Sequence, residues 1–338
     1  MIGVLLISMA TAGVAESTLR PRDLAVVVNT DDPGSVEVAG DYLRLRRIPE
    51  RNLLRVSIPG SPSRLTLAQF EDLKLQLEPQ LRPDLEAMVL VWTTPYAVAC
   101  NSITSALTMG FDAAQCEAGC APGRPSPYFD ARTRRPFREL GVRPSMLLPA
   151  TNVELAKAVI DRGRIAGFRI PEAGAYFMVT RDKARNSRAI HFPPSGRIPA
   201  RRISVHTLEG PALADVHDIM IYQIGAVAVE RLETLTFLPG ALADHLTSSG
   251  GQLVDSTQMS GLRWLEAGAT ASYGTVSEPC NHPQKFPNGT VLLKHYLAGD
   301  TALEAYWKSV AWPAQGVFIG EPLAAPYCAS CGLGDPAP

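Results

Sequence analysis

The sequence lacks an excess of charge of either sign. Its 338 residues include 32 basic and 33 acidic ones, for a formal net charge of -1. Nucleic-acid-binding domains usually carry a basic excess, so this balance argues against a nucleic-acid partner. The chain also lacks the low hydrophobicity of disordered proteins, since 46% of its residues are apolar. It contains no phosphate-binding loop, no G-x-G-x-x-G and no H-E-x-x-H, which argues against nucleotide-binding and zinc-protease functions.

Long hydrophobic runs are missing too. A membrane-spanning helix needs about 20 apolar residues, and charges interrupt every apolar run after the first. The first run, Ile2 to Val14, ends in small residues around Ala15, which is typical of a secretory signal. No Lys or Arg precedes it, so an uncleaved anchor or a buried first element stays an alternative. The pattern predicts a signal peptide over residues 1–16 and export to the periplasm or the cell exterior, with no transmembrane span after cleavage.

Cysteine is scarce, so each position can be considered separately as a possible disulfide partner or zinc ligand. The six are Cys100, Cys116, Cys120, Cys280, Cys328 and Cys331. The two close pairs, in CEAGC and CASC, could supply four thiolates to a structural zinc ion. In an oxidising compartment disulfides are the commoner outcome. The sequence favours disulfides over zinc and leaves their connectivity open.

Strand-like runs alternate with helical patterns along the chain. Residues 24–28 and 87–92 are continuous apolar runs, as in buried parallel strands. Residues 36–47 and 67–81 place apolar residues at helical spacing. The alternation continues with strands at 52–58, 146–148, 175–179, 218–222, 270–273 and 316–319 and helices at 153–165, 258–267, 291–297 and 301–310. The sequence therefore predicts an α/β fold with a mostly parallel sheet flanked by helices.

Residues 111–144 interrupt this alternation. They contain Cys116 and Cys120 together with several prolines and arginines. We interpret the segment as a Cys/Pro-rich loop insertion on the surface. No internal repeat occurs, so we expect one α/β domain over residues 22–327, followed by a tail over 328–338.

Polar residues that follow predicted strands are the candidates for ligand binding, because open parallel sheets bind ligands beyond the carboxyl ends of their strands. We expect these ends to share one edge of the sheet. The candidate substrate-binding residues are Thr94, Thr247, Ser248, Ser249, Gly250, Gly251 and Thr275.

Cys280 and His245 form a candidate catalytic dyad. A thiolate attacks acyl carbons, and a neighbouring imidazole takes the proton of the thiol. Glu278 or Asp244 would orient the imidazole, and the amides of the Gly250–Gly251 pair would stabilise an oxyanion. The alternative is that Cys280 lies in a disulfide and His245 is a hydrogen-bonded loop residue. The two glycines could equally serve a tight turn.

Asp31 and Asp32 precede a predicted helix start. Carboxylates in this position commonly cap the helix by accepting hydrogen bonds from its free amides. The alternative is a divalent metal ion with oxygen ligands at the sheet edge.

Four long stretches carry a resemblance to a known family. They are VVVNTDDPGSVEVAGDYLRLRRIPERNLLRV, ADHLTSSGG, LRWLEAGATASYGTVSEPCNHPQKFP and EAYWKSVAWPAQGVFIGEPLAAPY. Together they resemble an uncharacterised family of exported bacterial proteins found in genomes with an exosortase sorting system. The resemblance spans residues 24–327 and implies export and an envelope or surface context, without implying a reaction.

A more distant resemblance is to gingipain-like and caspase-like peptidases. Residues 302–306 (ALEAY) and 320–322 (GEP) are similar to the end of that fold. The resemblance implies a parallel sheet with His-Gly after one strand and a nucleophilic Cys after the next. At the matching positions, residues 222–226 (YQIGA) contain no His and residues 244–249 (DHLTSS) contain no Cys.

Three functions follow as hypotheses. The first is a gingipain/caspase-like cysteine hydrolase that processes envelope or extracellular proteins. The second is a non-catalytic protein on the same scaffold that binds a peptide, an exported protein or a glycan. The third is a metal-dependent hydrolase centred on Asp31, Asp32 and His245.

Overall fold

The computed structural model describes residues 18–167 and 172–328. The predicted signal peptide, 1–16, lies outside these residues, as does all of the predicted tail except Cys328. Within the two described ranges, no helix combines the length and the hydrophobicity that a membrane crossing requires.

The strands are short and mostly buried. Eleven of them form one large sheet, in the spatial order β2-β1-β4-β7-β14-β13-β12-β11-β8-β10-β9, and β3, β5 and β6 form a small second sheet. The bounds in chain order are β1 Leu24–Asn29, β2 Leu53–Val56, β3 Arg64–Leu65, β4 Ala87–Val91, β5 Ala97–Val98, β6 Asn101–Ser102, β7 Ser145–Leu147, β8 Ala173–Val179, β9 Gly196–Ile198, β10 Ile203–Glu209, β11 Ile219–Gly225, β12 Phe237–Leu246, β13 Ala271–Thr275 and β14 Gly316–Gly320.

The α-helices flank the large sheet. Their bounds are α1 Pro33–Arg46, α2 Leu67–Leu77, α3 Ile103–Met109, α4 Ala114–Glu117, α5 Pro136–Leu140, α6 Val153–Ile165, α7 Leu262–Glu266, α8 Gly289–Leu297 and α9 Ala302–Ser309. With the sheet mostly parallel, the predicted α/β class is confirmed.

Apart from the edge strand β9, which pairs antiparallel with β10, the large sheet consists of two parallel blocks that run in opposite directions. The strands β2, β1, β4, β7 and β14 are parallel to one another, and so are β13, β12, β11, β8 and β10. The blocks meet where β13 and β14 pair antiparallel. The carboxyl ends of the two blocks therefore face opposite ways, and the expectation of one common functional edge is wrong.

Each face of the sheet packs on its own apolar layer, because successive side chains of a strand point to opposite faces. In β8, Ala175 and Phe177 belong to the main core, whereas Tyr176 and Met178 belong to a second cluster. The second cluster also contains Trp264 of α7. A connecting segment can therefore be assigned to one face of the sheet by the apolar cluster that its side chains join.

Two glutamines cover the outer edge of β2, the first strand in the sheet order. Gln80 accepts a hydrogen bond from the Arg55 amide at 3.0 Å and donates one to the Arg55 carbonyl at 2.8 Å. Gln76 does the same for Ser57, at 2.7 and 3.2 Å. Their amide groups take the place of a further strand.

The insertion over 111–144 contains the short helices α4 and α5. Two disulfides, Cys100–Cys116 and Cys120–Cys280, tie its first part to the rest of the chain. Cys328 is disulfide-bonded as well, so no described cysteine is free. Disulfides, the favoured sequence expectation, are thus present at all five cysteines that the structure describes.

Candidate functional site

Cys280 has no thiol in this structure. Its sulfur is bonded to that of Cys120, with the two Cα atoms 5.0 Å apart. A sulfur in a disulfide cannot ionise to the thiolate that attacks an acyl carbon. In this structure Cys280 lies in a disulfide, as in the alternative that the sequence left open, and it offers no thiolate.

His245 is not placed to act as a base. It lies inside β12, not after it, and is 1% exposed. The Trp264 indole donates to Nδ1 at 2.9 Å, so Nε2 carries the proton and donates to the Met259 carbonyl at 3.0 Å. Burial, together with the positive charge of Arg188, lowers the pKa of His245 to about 3. Both ring nitrogens are occupied, and the imidazole stays neutral at ordinary pH.

Asp244 cannot orient the His245 ring. Adjacent residues of a strand point to opposite faces, so Asp244 faces the main core whereas His245 packs against Trp264 in the second cluster. The Asp244 carboxylate instead pairs with the buried guanidinium of Arg188. Gln223 on β11 also donates to it, at 3.1 Å. This residue stabilises the fold.

Glu278, the other candidate partner of His245, is exposed. Its carboxylate accepts a hydrogen bond from the Cys280 amide at 2.8 Å. Its main-chain carbonyl accepts one from Gln315, also at 2.8 Å. Glu278 therefore shapes the turn around the disulfide, and the proposed catalytic group does not assemble.

The structure does bring together several of the predicted substrate-binding residues. The Thr275 hydroxyl lies 3.0 Å from the carbonyls of Thr247 and Ser248. The Gly251 amide donates to the Thr275 carbonyl at 2.9 Å, so it does not face a ligand as an oxyanion donor. These groups satisfy one another and close the turn after β12.

The turn after β12 leaves no room for a Cβ atom at Gly251, nor at Gly274, which packs against it. A Cβ on Gly251 would come within 2.5 Å of the Gly274 carbonyl oxygen, and one on Gly274 within 2.4 Å of the Gly250 backbone. Ser249 contributes its amide, which donates to Gln258 at 2.9 Å. The predicted glycine-rich segment is therefore a tight backbone contact.

Thr94 does not join these residues. It is half-buried directly after β4, in the block whose carboxyl ends face the other way. The structure thus separates this candidate from those that follow β12 and β13.

Asp31 and Asp32 act in the local structure of the β1–α1 turn. Asp32 caps α1 by accepting a hydrogen bond from the Gly34 amide at 2.9 Å. Asp31 accepts one from the Ser57 hydroxyl at 2.6 Å. Among residues 18–167 and 172–328, no three His, Cys, Asp or Glu side chains are grouped to hold a metal ion. The capping interpretation fits this geometry at Asp32.

A cleft lies at the carboxyl ends of β8, β10 and β11. Its volume is about 870 Å³. It is lined by Val179, Thr180, Arg181, Asp182, Glu209, Gly210, Pro211, Gly225, Ala226 and Val227. We call it the first cleft.

The first cleft coincides with a reversal of the chain path. After β8 the chain continues to β9 and β10 on one side, whereas after β11 it continues to β12 on the other. Phe192, in the first connection, packs on the main core, and Leu232, in the second, belongs to the other cluster. The two connections therefore leave on opposite faces and open a crevice between β8 and β11. Such switch points are where open α/β sheets bind ligands.

The segment after β8 forms one wall of the first cleft. Arg185 pairs with Asp182 at 2.6 Å and donates to the Thr247 hydroxyl at 3.3 Å. Although burial raises the pKa of Asp182, the hydrogen bonds from Arg185 dominate and lower it. A Cβ on Gly225 would lie 2.1 Å from the Arg185 carbonyl oxygen, so only glycine lets this wall pass over the end of β11.

Two charges of the first cleft are open to a ligand. Arg181 and Glu209 are both exposed. Of the described residues, none forms an ion pair with either side chain. The cleft therefore offers one positive and one negative side chain to a ligand.

A second cleft, of about 460 Å³, is formed partly by the connection between β11 and β12, next to the residues of that connection that line the first cleft. It is lined by Ala228, Val229, Leu232, Glu233, Gln258, Met259, Ser260 and Arg263. The segment 227–229 separates the two clefts. The Met259 amide, which donates to the Val227 carbonyl at 3.0 Å, holds it in place.

Sequence reasoning missed most of the first-cleft residues because it assigned no strand to 203–209 and ended the strand that became β11 at 222. The alternation in ISVHTLE, residues 203–209, was a usable signal for β10. Had that strand been assigned, the crossing of the two connections would have pointed to residues 179–182 and 225–227.

The chain matches no protein-family model, no curated protein and no solved structure.

Proposed function

We propose that this chain is an exported binding protein whose first cleft holds a polypeptide segment, and that it does not act as a cysteine hydrolase. The observation that carries the proposal is the first cleft itself, which lies at the switch point between β8 and β11. Export is supported by the disulfides, since these persist in oxidising compartments.

The lining of the cleft supports a peptide as the ligand. A peptide carries amide donors, carbonyl acceptors and side chains of either charge. The cleft matches the side chains of either charge with Glu209 and Arg181. None of its lining residues is aromatic, so it lacks the flat apolar platform on which a sugar ring packs.

The binding function also agrees with the chemistry at the predicted catalytic residues. Cys280 is oxidised and His245 is buried with both nitrogens occupied. A cysteine hydrolase needs a thiolate and an accessible base.

A peptide mixture tests the proposal. The purified full chain, with its disulfides intact, is incubated with an equimolar mixture of acetylated, amidated decapeptides, and the bound fraction is measured by mass spectrometry. We expect enrichment of a subset of peptides without cleavage. Ala226→Trp fills the cleft and should abolish the enrichment. Ala200→Trp adds the same ring at an exposed position before β10 and should leave it intact.

A second variant tests the same cleft without the risk that a buried tryptophan disrupts the fold. Arg181 and Glu209 are exposed, so Arg181→Ala/Glu209→Ala should keep the fold while changing which peptides are enriched. Enrichment that survives both cleft variants would refute the site. Binding of an oligosaccharide mixture in place of peptides would refute the ligand class. Peptide cleavage that disappears with Cys280→Ser would restore the hydrolase hypothesis.

A further inference from the structure

The second cleft combines an apolar floor with one unpaired carboxylate. Val229 and Leu232 are buried side chains of the second apolar cluster, and Met259 packs against that cluster. Methionine is flexible and polarizable, so it adapts to side chains of different shape. The floor can therefore cover the methylene groups of a ligand.

Most polar groups around this floor are already engaged within the protein. Gln258 accepts hydrogen bonds from the Thr247 hydroxyl and the Ser249 amide. Ser260 donates to the Leu253 carbonyl at 2.9 Å. These groups have little capacity left for a ligand.

The two charged residues that line the second cleft differ in their partners. Arg263 forms an ion pair with Glu266 one helical turn along α7. Glu233 is exposed, and within the described part of the chain it has no ion-pair or hydrogen-bond partner. The open charge of the second cleft is thus negative.

From this arrangement we infer that the second cleft is a side-chain subsite for lysine or arginine of the bound peptide. The inference rests on the proposed function, because the first cleft would hold the neighbouring part of the same peptide. Long cationic side chains bury their methylene stems on apolar surface and keep the charged head in water. Here the stem lies on Val229, Leu232 and Met259, and the head reaches Glu233.

The two clefts are adjacent, so a single peptide can occupy both of them. Val227 lines the first cleft, and Ala228 and Val229 line the second. Val227 is 42% exposed although it is apolar. An extended peptide that crosses residue 227 would cover this side chain and present alternate residues to the two sides.

Two small probes of nearly the same shape test whether the positive charge of the ligand contributes to binding in the second cleft. Nα-acetyl-arginine amide and Nα-acetyl-citrulline amide differ mainly in the guanidinium, which is a neutral urea group in citrulline. Each is titrated into the full chain labelled with ¹³C at the methionine methyl groups. The Met259 methyl signal, assigned through Met259→Leu, reports on the floor of the second cleft.

We expect both probes to shift the Met259 signal and arginine to bind about two- to fivefold more tightly, which is the range of exposed ion pairs. Glu233→Gln should make the two probes equal. Glu230→Gln, an exposed carboxylate on the same connection that lines neither cleft, should preserve the preference. Equal binding in the wild type, a preference that survives Glu233→Gln, or a silent Met259 signal would each overturn the subsite.

Failure of this inference is distinguishable from failure of the proposed function. Peptide enrichment that depends on Ala226 with no response at Met259 refutes the subsite alone. A charge-dependent Met259 response without any peptide enrichment supports a cation subsite and refutes the peptide-binding function.

Discussion

Arg188 forms an ion pair with Asp244 in the interior, and the side chain of each is 1% exposed. The same guanidinium donates to the carbonyls of Ile224 at 3.0 Å and Asp244 at 3.2 Å, near the ends of β11 and β12. The segment that carries Arg188 also forms the wall of the first cleft. This ion pair therefore holds the segment after β8, which forms the wall of the first cleft, against the sheet.

Arg188→Met should destabilise the protein strongly. The substitution leaves the Asp244 carboxylate buried without its cation and removes donors from two carbonyls, which typically costs about 3–5 kcal/mol. Urea unfolding measures the loss. Arg197→Met breaks an exposed pair with Glu172 and should have little effect. A loss for Arg188→Met no larger than that of this control would contradict the assigned role.

His245 should make stability fall as the pH falls. Its pKa is about 3 in the folded protein and about 6.5 in an unfolded chain, so below pH 6.5 the unfolded state binds a proton that the folded state does not. The contribution is complete above pH 6.5 and declines by about 1.4 kcal/mol per unit until the pH reaches about 3.

Urea unfolding between pH 7 and 4 tests this dependence. His245→Gln keeps a donor and an acceptor in place but does not titrate, so its free energy of unfolding should vary less steeply with pH. His217→Gln makes the same substitution at an exposed histidine and serves as the matched control. Parallel profiles for wild type and His245→Gln would show that His245 does not titrate as described.

The Cys120–Cys280 disulfide should stabilise the protein more than Cys100–Cys116. It spans 160 residues, against 16 for the other, and cross-linking a longer loop restricts the unfolded chain more. We expect Cys120→Ser/Cys280→Ser to cost about 1–2 kcal/mol more than Cys100→Ser/Cys116→Ser in urea unfolding. Rapid alkylation of Cys280 in the unreduced wild type would show that the bond is absent.

Gln76→Ala/Gln80→Ala should promote self-association. The double substitution uncovers the amides and carbonyls of Arg55 and Ser57 at the edge of the sheet. An open strand edge is a template for pairing with another chain. Analytical ultracentrifugation should show concentration-dependent species that Asp72→Ala, an exposed change on α2, the helix that carries Gln76, does not produce. A double variant that sediments like wild type at every concentration would refute this function of the glutamines.

Local pattern predicted many elements well. The strand expected at 87–92 is observed at Ala87–Val91, and the helix expected at 67–81 begins at Leu67 and ends at Leu77. The first segment is a continuous apolar run and the second has apolar residues at helical spacing, so each could be recognised from its own residues. The direction of the strands was beyond such reasoning, because the reversal at β13 and β14 depends on which distant strands pair.

The candidate site was harder to predict for a related reason. Asp244 and His245 suggested a loop because polar residues are seldom buried. They lie within β12 because Arg188, from a segment 56 residues away in sequence, and Trp264 satisfy them. Only the folded chain brings these partners together. The local pattern around residues 244 and 245 therefore indicated catalytic residues, whereas in the structure both residues stabilise the fold.

The position of β14 has a consequence for the order of folding. Residues 316–320 form the last strand of the described chain, yet they lie between β7 and β13 in the middle of the sheet. Until this strand is in place, the two blocks have no shared hydrogen bonds, and β7 and β13 each present an open edge. Such long-range pairing is slow, and open edges invite aggregation. The sheet can close only after residues 316–320 are available to pair, so the core is completed late in folding.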